Sequence, residues 1–180
     1  LIQPTATLQT VGIVGAGPAG LTLAVALNRA LPDVAVTIFD RSDSCRPALG
    51  GGVQLNSGAA VLARLDPALG AAVAKLGQPV RRVRSRTAGG DALLDLDLAA
   101  AIRGNARARE RGLVDADGGV RAYTIMRDAL QATLRDALGS QTKLELGAAV
   151  KGIRAAAGGG SEVALADGTA RRFDLVAGCD

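Results

Sequence analysis

Short apolar runs separated by glycine-rich breaks set the rhythm of the first forty residues. Thr10-Val11-Gly12-Ile13-Val14 is too brief for a helix and rich in β-branched residues, which predicts a buried parallel strand. Leu21, Ala24, Val25, Leu27 and Leu31 then recur at helical spacing from Pro18 to about Leu31, with Pro18 suited to the first turn and Pro32-Asp33 as the stop. Val34 to Phe39 gives a second strand ending on Asp40, and the three elements make a β-α-β unit with a right-handed crossover.

From Arg41 to Gly52 the chain is polar and glycine-rich and reads as a long mobile loop of the kind that carries function. Helices are predicted at Ser57 to Leu65 and Pro67 to Leu76, with sheet at Val80 to Thr87 and Ala92 to Leu96. Ala99 to Gly119 shows no decisive period. Val120 to Ile125 reads as a strand and Arg127 to Leu138 as an amphipathic helix stopped by Gly139. Thr142 to Leu146, Val150 to Ala155, Val163 to Ala166 and Arg171 to Ala177 are β-type. Gly158-Gly159-Gly160 and Asp167-Gly168 mark hairpins, so the end of the chain is an antiparallel meander feeding a last apolar strand.

Composition narrows the chemistry. The 180 residues suit one domain of ordinary size, and 48% apolar content supplies a core. There is no histidine, which excludes imidazole bases, His-ligated zinc and Ser-His-Asp triads if the chain acts alone. No catalytic side chain and no metal ligand set is assigned. With no tryptophan, two phenylalanines and one tyrosine there is little to stack on bases, so nucleic acid is not an expected partner. Net charge is +4 and 18 of the 21 basic residues are arginine, which favours anionic ligands. The dense basic stretches Arg81 to Arg86 and Arg103 to Arg111 read as solvated faces. Cys45 and Cys179 form no framework and no C-x-x-C occurs, which fits a reducing, cytoplasmic setting. No apolar segment approaches the roughly 20 residues of a membrane span. Leu1 at the start and an apolar run leading to Asp180 suggest a fragment.

Gly15-Ala16-Gly17-Pro18-Ala19-Gly20 matches G-x-G-x-x-G, a weak string in a chain with 24 glycines but a strong one between a strand and a helix. Gly15 permits the tight turn, Gly17 lets backbone approach a pyrophosphate, and Gly20 allows close helix-strand packing. The amides at the helix start then face the phosphates. Asp40, 25 residues after Gly15, supplies a carboxylate for ribose hydroxyls and disfavours a 2′-phosphate. Arg41 beside it is either a surface cation or an adenine contact. Arg127, in a first helical turn where the macrodipole favours an acid, hints at a ligand anion.

These residues resemble the N-terminal part of FAD-dependent aromatic-ring hydroxylases of the para-hydroxybenzoate and salicylate hydroxylase type. Val11 to Leu21 with Asp40-Arg41 carries the likeness. Gly51-Gly52-Val53-Gln54-Leu55-Asn56-Ser57-Gly58 resembles the family's loop beside the flavin. Ile125 to Leu130 resembles the helix start where an arginine contacts FAD, and Asp167-Gly168 followed by Phe173 to Asp180 resembles the approach to its Asp-Gly motif. The family usually has Glu at the position of Asp40.

The resemblance implies an α/β, Rossmann-like FAD-binding domain with a parallel sheet and an antiparallel β-meander, incomplete at the C-terminus. Residues 1–180 would be its N-terminal part, with a partial substrate-side insertion at about 80–124. It implies FAD as cofactor, NAD(P)H as transient donor, and oxygen-dependent hydroxylation of an aromatic or similar small substrate, the hard chemistry being the cofactor's. The implied FAD contacts are Gly15, Ala16, Gly17, Pro18, Ala19, Gly20, Asp40, Arg41, Gly52, Val53, Arg127, Val150 and Asp180. Val150 also reads as a core valine. A dehydrogenase using the same unit for NAD, or a non-catalytic truncated flavoprotein, are the competing expectations.

Overall fold

A computed structural model describes residues 7–44 and 51–179, which divide into one unit formed by residues 7–44 with 134–179 and another formed by 51–133. The first unit opens with β1 (Thr10–Val14), α1 (Pro18–Ala30) and β2 (Ala35–Phe39). Val11 and Ile13 of β1 and Leu21, Ala24 and Val25 of α1 are buried, as the sequence spacing predicts. β1 and β2 are parallel and in register from Thr10 opposite Ala35 to Val14 opposite Phe39. At the far end of α1 the Asn28 Oδ1 accepts hydrogen bonds from the Gly139 amide (2.8 Å) and the Thr142 hydroxyl (2.8 Å), a tie across 111 residues.

The second unit contains β3 (Gly52–Leu55), α2 (Ser57–Leu65), α3 (Pro67–Leu76), β4 (Gln78–Pro79), β5 (Arg82–Arg86), β6 (Ala92–Asp97), α4 (Leu98–Gly104), α5 (Ala106–Glu110) and β7 (Tyr123–Met126). β7 is the centre of a three-stranded antiparallel sheet between β3 and β4, while β5 and β6 pair only with each other. The sheet predicted at Val80 to Thr87 is thus β5 alone, beginning at Arg82, and the two residues before Val80 form β4 in the other sheet. The chain breaks at Val80-Arg81, where the Val80 amide donates to the Ala122 carbonyl and the Arg81 carbonyl accepts from the Ala99 amide. Ala99 to Gly119, without a decisive period in the sequence, holds two short helices. Each is started by a side-chain cap: Asp97 accepts from the Ala100 amide and Asn105 from the Ala108 amide. The strand predicted from Val120 begins at Tyr123, because Val120 forms only an isolated bridge to Val114.

α6 (Arg127–Asp136) carries the chain back to the first unit, which resumes with β8 (Thr142–Glu145), β9 (Val150–Ala155), β10 (Ser161–Leu165), β11 (Ala170–Phe173) and β12 (Leu175–Gly178). α6 stops short of the predicted Leu138, since the Ala137 and Leu138 amides make tighter bonds to Leu134 and Arg135. The parallel sheet has the order β12-β1-β2-β8, and β9 to β11 form the antiparallel meander. The predicted strand Arg171 to Ala177 is split at Asp174. The Asp174 Oδ2 accepts from the Gln9 amide (2.9 Å), the Thr10 amide (2.8 Å) and the Thr10 hydroxyl (3.0 Å), so the chain leaves the meander there and joins β1 as a parallel partner. Phe39, Val163, Leu165 and Phe173 form a buried cluster beneath the meander, with the two rings edge to face at 5.7 Å.

Candidate dinucleotide site

The turn between β1 and α1 is built from backbone constraints that a side chain would break. Gly15 sits at φ +108, the left-handed region open to glycine, and its amide closes the turn on the Phe39 carbonyl at 2.7 Å. At Gly20 the constraint is proximity: an added Cβ would lie 2.0 Å from the Gly15 carbonyl oxygen. Ala16 and Gly20 are buried, Gly17 and Pro18 half-buried, and Ala19 exposed. Gly17 caps α1 without a side chain, so the helix opens on the amides of Ala19 and Gly20, which have no acceptor within the helix. Amides in this position, at the positive end of the macrodipole, suit an anion such as a diphosphate.

Asp40 follows β2 and is half-buried. Its Oδ2 accepts from the Ala16 amide at 2.7 Å and its Oδ1 from the Ser42 amide at 2.8 Å, so the carboxylate braces the glycine turn. Each oxygen keeps a second lone-pair direction that a hydroxyl can use. The segment before β9 runs beside it: the Gly147 amide donates to the Ser42 carbonyl and the Ala148 amide to the Asp40 carbonyl, both at 2.8 Å. Val150, at the start of β9, packs partly buried against the Phe39 cluster, in keeping with its reading as a core valine. Arg41 is exposed and, among the described residues, makes no hydrogen bond or ion pair.

Glu145 lies beside Phe39 across the β2-β8 pairing. Burial opposes its ionisation, but hydrogen bonds from Lys143 and Arg171 outweigh that and hold its carboxyl below the usual range. Nothing in the sequence marked this pair, whose members lie 26 residues apart.

Of the remaining predicted positions, Gly52, Val53 and Arg127 lie in the second unit. Gly52 and Val53 pair with Met126 and Ile125 across the β3-β7 ladder, which brings Gly52 beside the strand end that leads directly into Arg127. Arg127 is exposed at the start of α6, and its side chain makes no hydrogen bond or ion pair among the described residues. Asp180 lies outside the described residues, as does Cys45. Among the described residues no cluster of candidate metal ligands occurs, and no helix is long and apolar enough to cross a membrane.

Residues 13–76 match the family model of the NAD(P)-binding Rossmann-like domain. Over 174 residues the chain is 34% identical to the aurachin C monooxygenase/isomerase of Stigmatella aurantiaca, spanning 95% of this chain and 40% of that protein. The match to the Rossmann-like domain thus covers the β1-α1-β2 unit from Ile13 onward and the stretch after it, and the likeness to a monooxygenase runs along nearly all of this chain. The fold of this Rossmann-like domain also agrees with that of HpxO from Klebsiella pneumoniae complexed with FAD and uric acid, at TM-score 0.69, 19% identity and coverage of 93% of this chain and 38% of the other. A tetracycline destructase superposes at TM-score 0.65 with 21% identity, over 97% of this chain and 39% of its own. The chain thus spans about two fifths of the length of the relatives it matches.

Proposed function

We propose that the chain is the FAD-binding part of a flavin-dependent monooxygenase that uses NAD(P)H and oxygen to hydroxylate an aromatic or similar small substrate. The observation that carries this reading is the Asp40 carboxylate locked onto the Ala16 amide, which sets a ribose acceptor beside an uncapped helix start. The geometry of the turn suits the ADP half of FAD, because Gly20 leaves no room for a side chain and the α1 amides lack helical acceptors. In this reading Gly15, Ala16, Gly17, Pro18, Ala19 and Gly20 hold the diphosphate through backbone, and Asp40 holds the ribose. The backbone around Val150 and the Arg41 side chain border the adenine. Gly52, Val53 and Arg127 are assigned to the flavin side from the family resemblance, as is Asp180, and residues of about 80–124 to a partial substrate-side insertion. When bound, FAD supplies the redox chemistry by accepting a hydride from NAD(P)H and activating oxygen; the chain's residues bind, orient and exclude water.

The test is equilibrium binding of FAD to the purified chain, read by its visible absorbance. The expected result is retention by the unaltered chain and weaker retention by Asp40→Ala, by about tenfold or more if one charge-assisted bond worth about 1.5 to 3 kcal/mol is lost. Asp40→Asn removes the charge and keeps one accepting oxygen, enough for the Ala16 or the Ser42 amide and not both, so its retention is expected between that of the unaltered chain and that of Asp40→Ala. Binding of NAD without FAD would replace this reading by a dehydrogenase, and binding of neither by a non-catalytic fragment.

A further inference from the structure

Asp40 is held by more than its own hydrogen bonds. Its amide donates to the Glu145 carbonyl at 3.0 Å, and the residue before it, Phe39, is buried in the cluster under the meander. The Arg171 guanidinium lies 5.7 Å from the Phe39 ring centroid. Its Nη1 donates to the Glu145 Oε1 at 2.5 Å, and the Lys143 Nζ reaches the same oxygen at 2.9 Å. Glu145 therefore grips Asp40 through its backbone and Arg171 through its side chain. The Glu145 side chain is only 13% exposed, against 40% for Arg171, so the pair is not one of the solvated surface contacts that leave no trace when removed. One guanidinium from β11 thus closes over both the end of β2 and the end of β8.

We propose that Arg171 and Glu145 are positioning residues for Asp40: the meander, through this pair, fixes the carboxylate against the glycine turn and so sets the affinity for the adenosine half of the cofactor. The proposal rests on the reading of Asp40 as the ribose acceptor.

Two measurements on the full chain test it. In the first, without ligand, amide hydrogen exchange is followed in Arg171→Met, Glu145→Gln and the conservative Arg171→Lys. The Ala16 and Ser42 amides, both donors to Asp40, are expected to exchange about two- to tenfold faster in the first two variants, the range typical of coupled neighbours. Ile13 in β1 and Val25 in α1 serve as internal controls and should keep their protection, and Arg171→Lys should restore most of the Asp40 signal. In the second, calorimetric binding of ADP should weaken in Arg171→Met by a similar factor. Unchanged Ala16 and Ser42 exchange in Arg171→Met overturns the proposal. So does faster exchange with undiminished ADP affinity, where Asp40→Ala does weaken ADP. If Asp40→Ala itself binds ADP as the unaltered chain does, the ribose reading falls, and exchange alone then decides whether Arg171 fixes Asp40.

Discussion

Gly20 illustrates how one missing atom sets a site. A Cβ there would stand 2.0 Å from the Gly15 carbonyl, a backbone atom that cannot swing aside, so α1 would have to lift from β1. Gly20→Ala should cost about 1 to 3 kcal/mol, as overpacking typically does, and lower the melting temperature together with ADP affinity; calorimetric melts and titrations would show it, and a variant as stable as the parent would contradict the geometry. The two glycines and Asp40 were legible in the sequence because their backbone demands leave a fixed spacing. The commitment of both Asp40 oxygens to the Ala16 and Ser42 amides was not, since an amide donor exists at nearly every residue and carries no sequence mark.

At the level of elements, the corner between β11 and β12 hangs on Asp174. Hydrogen bonds from the Gln9 and Thr10 amides, then from the Thr10 hydroxyl, hold its carboxyl below its ordinary value of 3.8. A folded-state value below the unfolded one means that the stabilisation is complete above about pH 4 and is lost as pH falls through the folded value. Melting curves of the chain and of Asp174→Ala should therefore differ near neutral pH and converge as pH falls through the lowered carboxyl value; a constant offset down to the lowest pH would place the effect elsewhere. Elements with strong periods, α1, α2, α3 and the core strands β1 and β2, were readable to within a residue or two. Those that failed share a cause: Val80-Arg81 and Asp174 are points where one extended segment changes sheets, and a change of partner does not alter the local pattern of side chains. α4 and α5 were missed although Asp97 and Asn105 are good caps, because each helix is too short to show a period.

Across the whole chain, the β5-β6 ribbon stands out from the rest of the second unit. Asp95 is ion-paired to Arg82 and Arg84, while Leu93, Leu94 and Leu96 are 67%, 47% and 39% exposed. Replacing Leu94 and Leu96 by Ser should change stability by no more than about 0.5 kcal/mol each, as for surface positions, and reduce self-association in sedimentation runs. A large loss of stability would mean that these side chains are covered in solution. The α/β class and the meander were visible in the order of predicted elements, whereas the division into two units was not, because nothing in composition changes at residues 48 or 133. The pairing of β12 with β1 joins Val11 to Leu175 and Val14 to Gly178. On a ribosome this means that β1 is made 164 residues before the neighbour it pairs with, counted from Val11 to Leu175. A long-range closure of that kind is slow, so the β1-β12 edge should gain protection later than the local β1-β2 pairing.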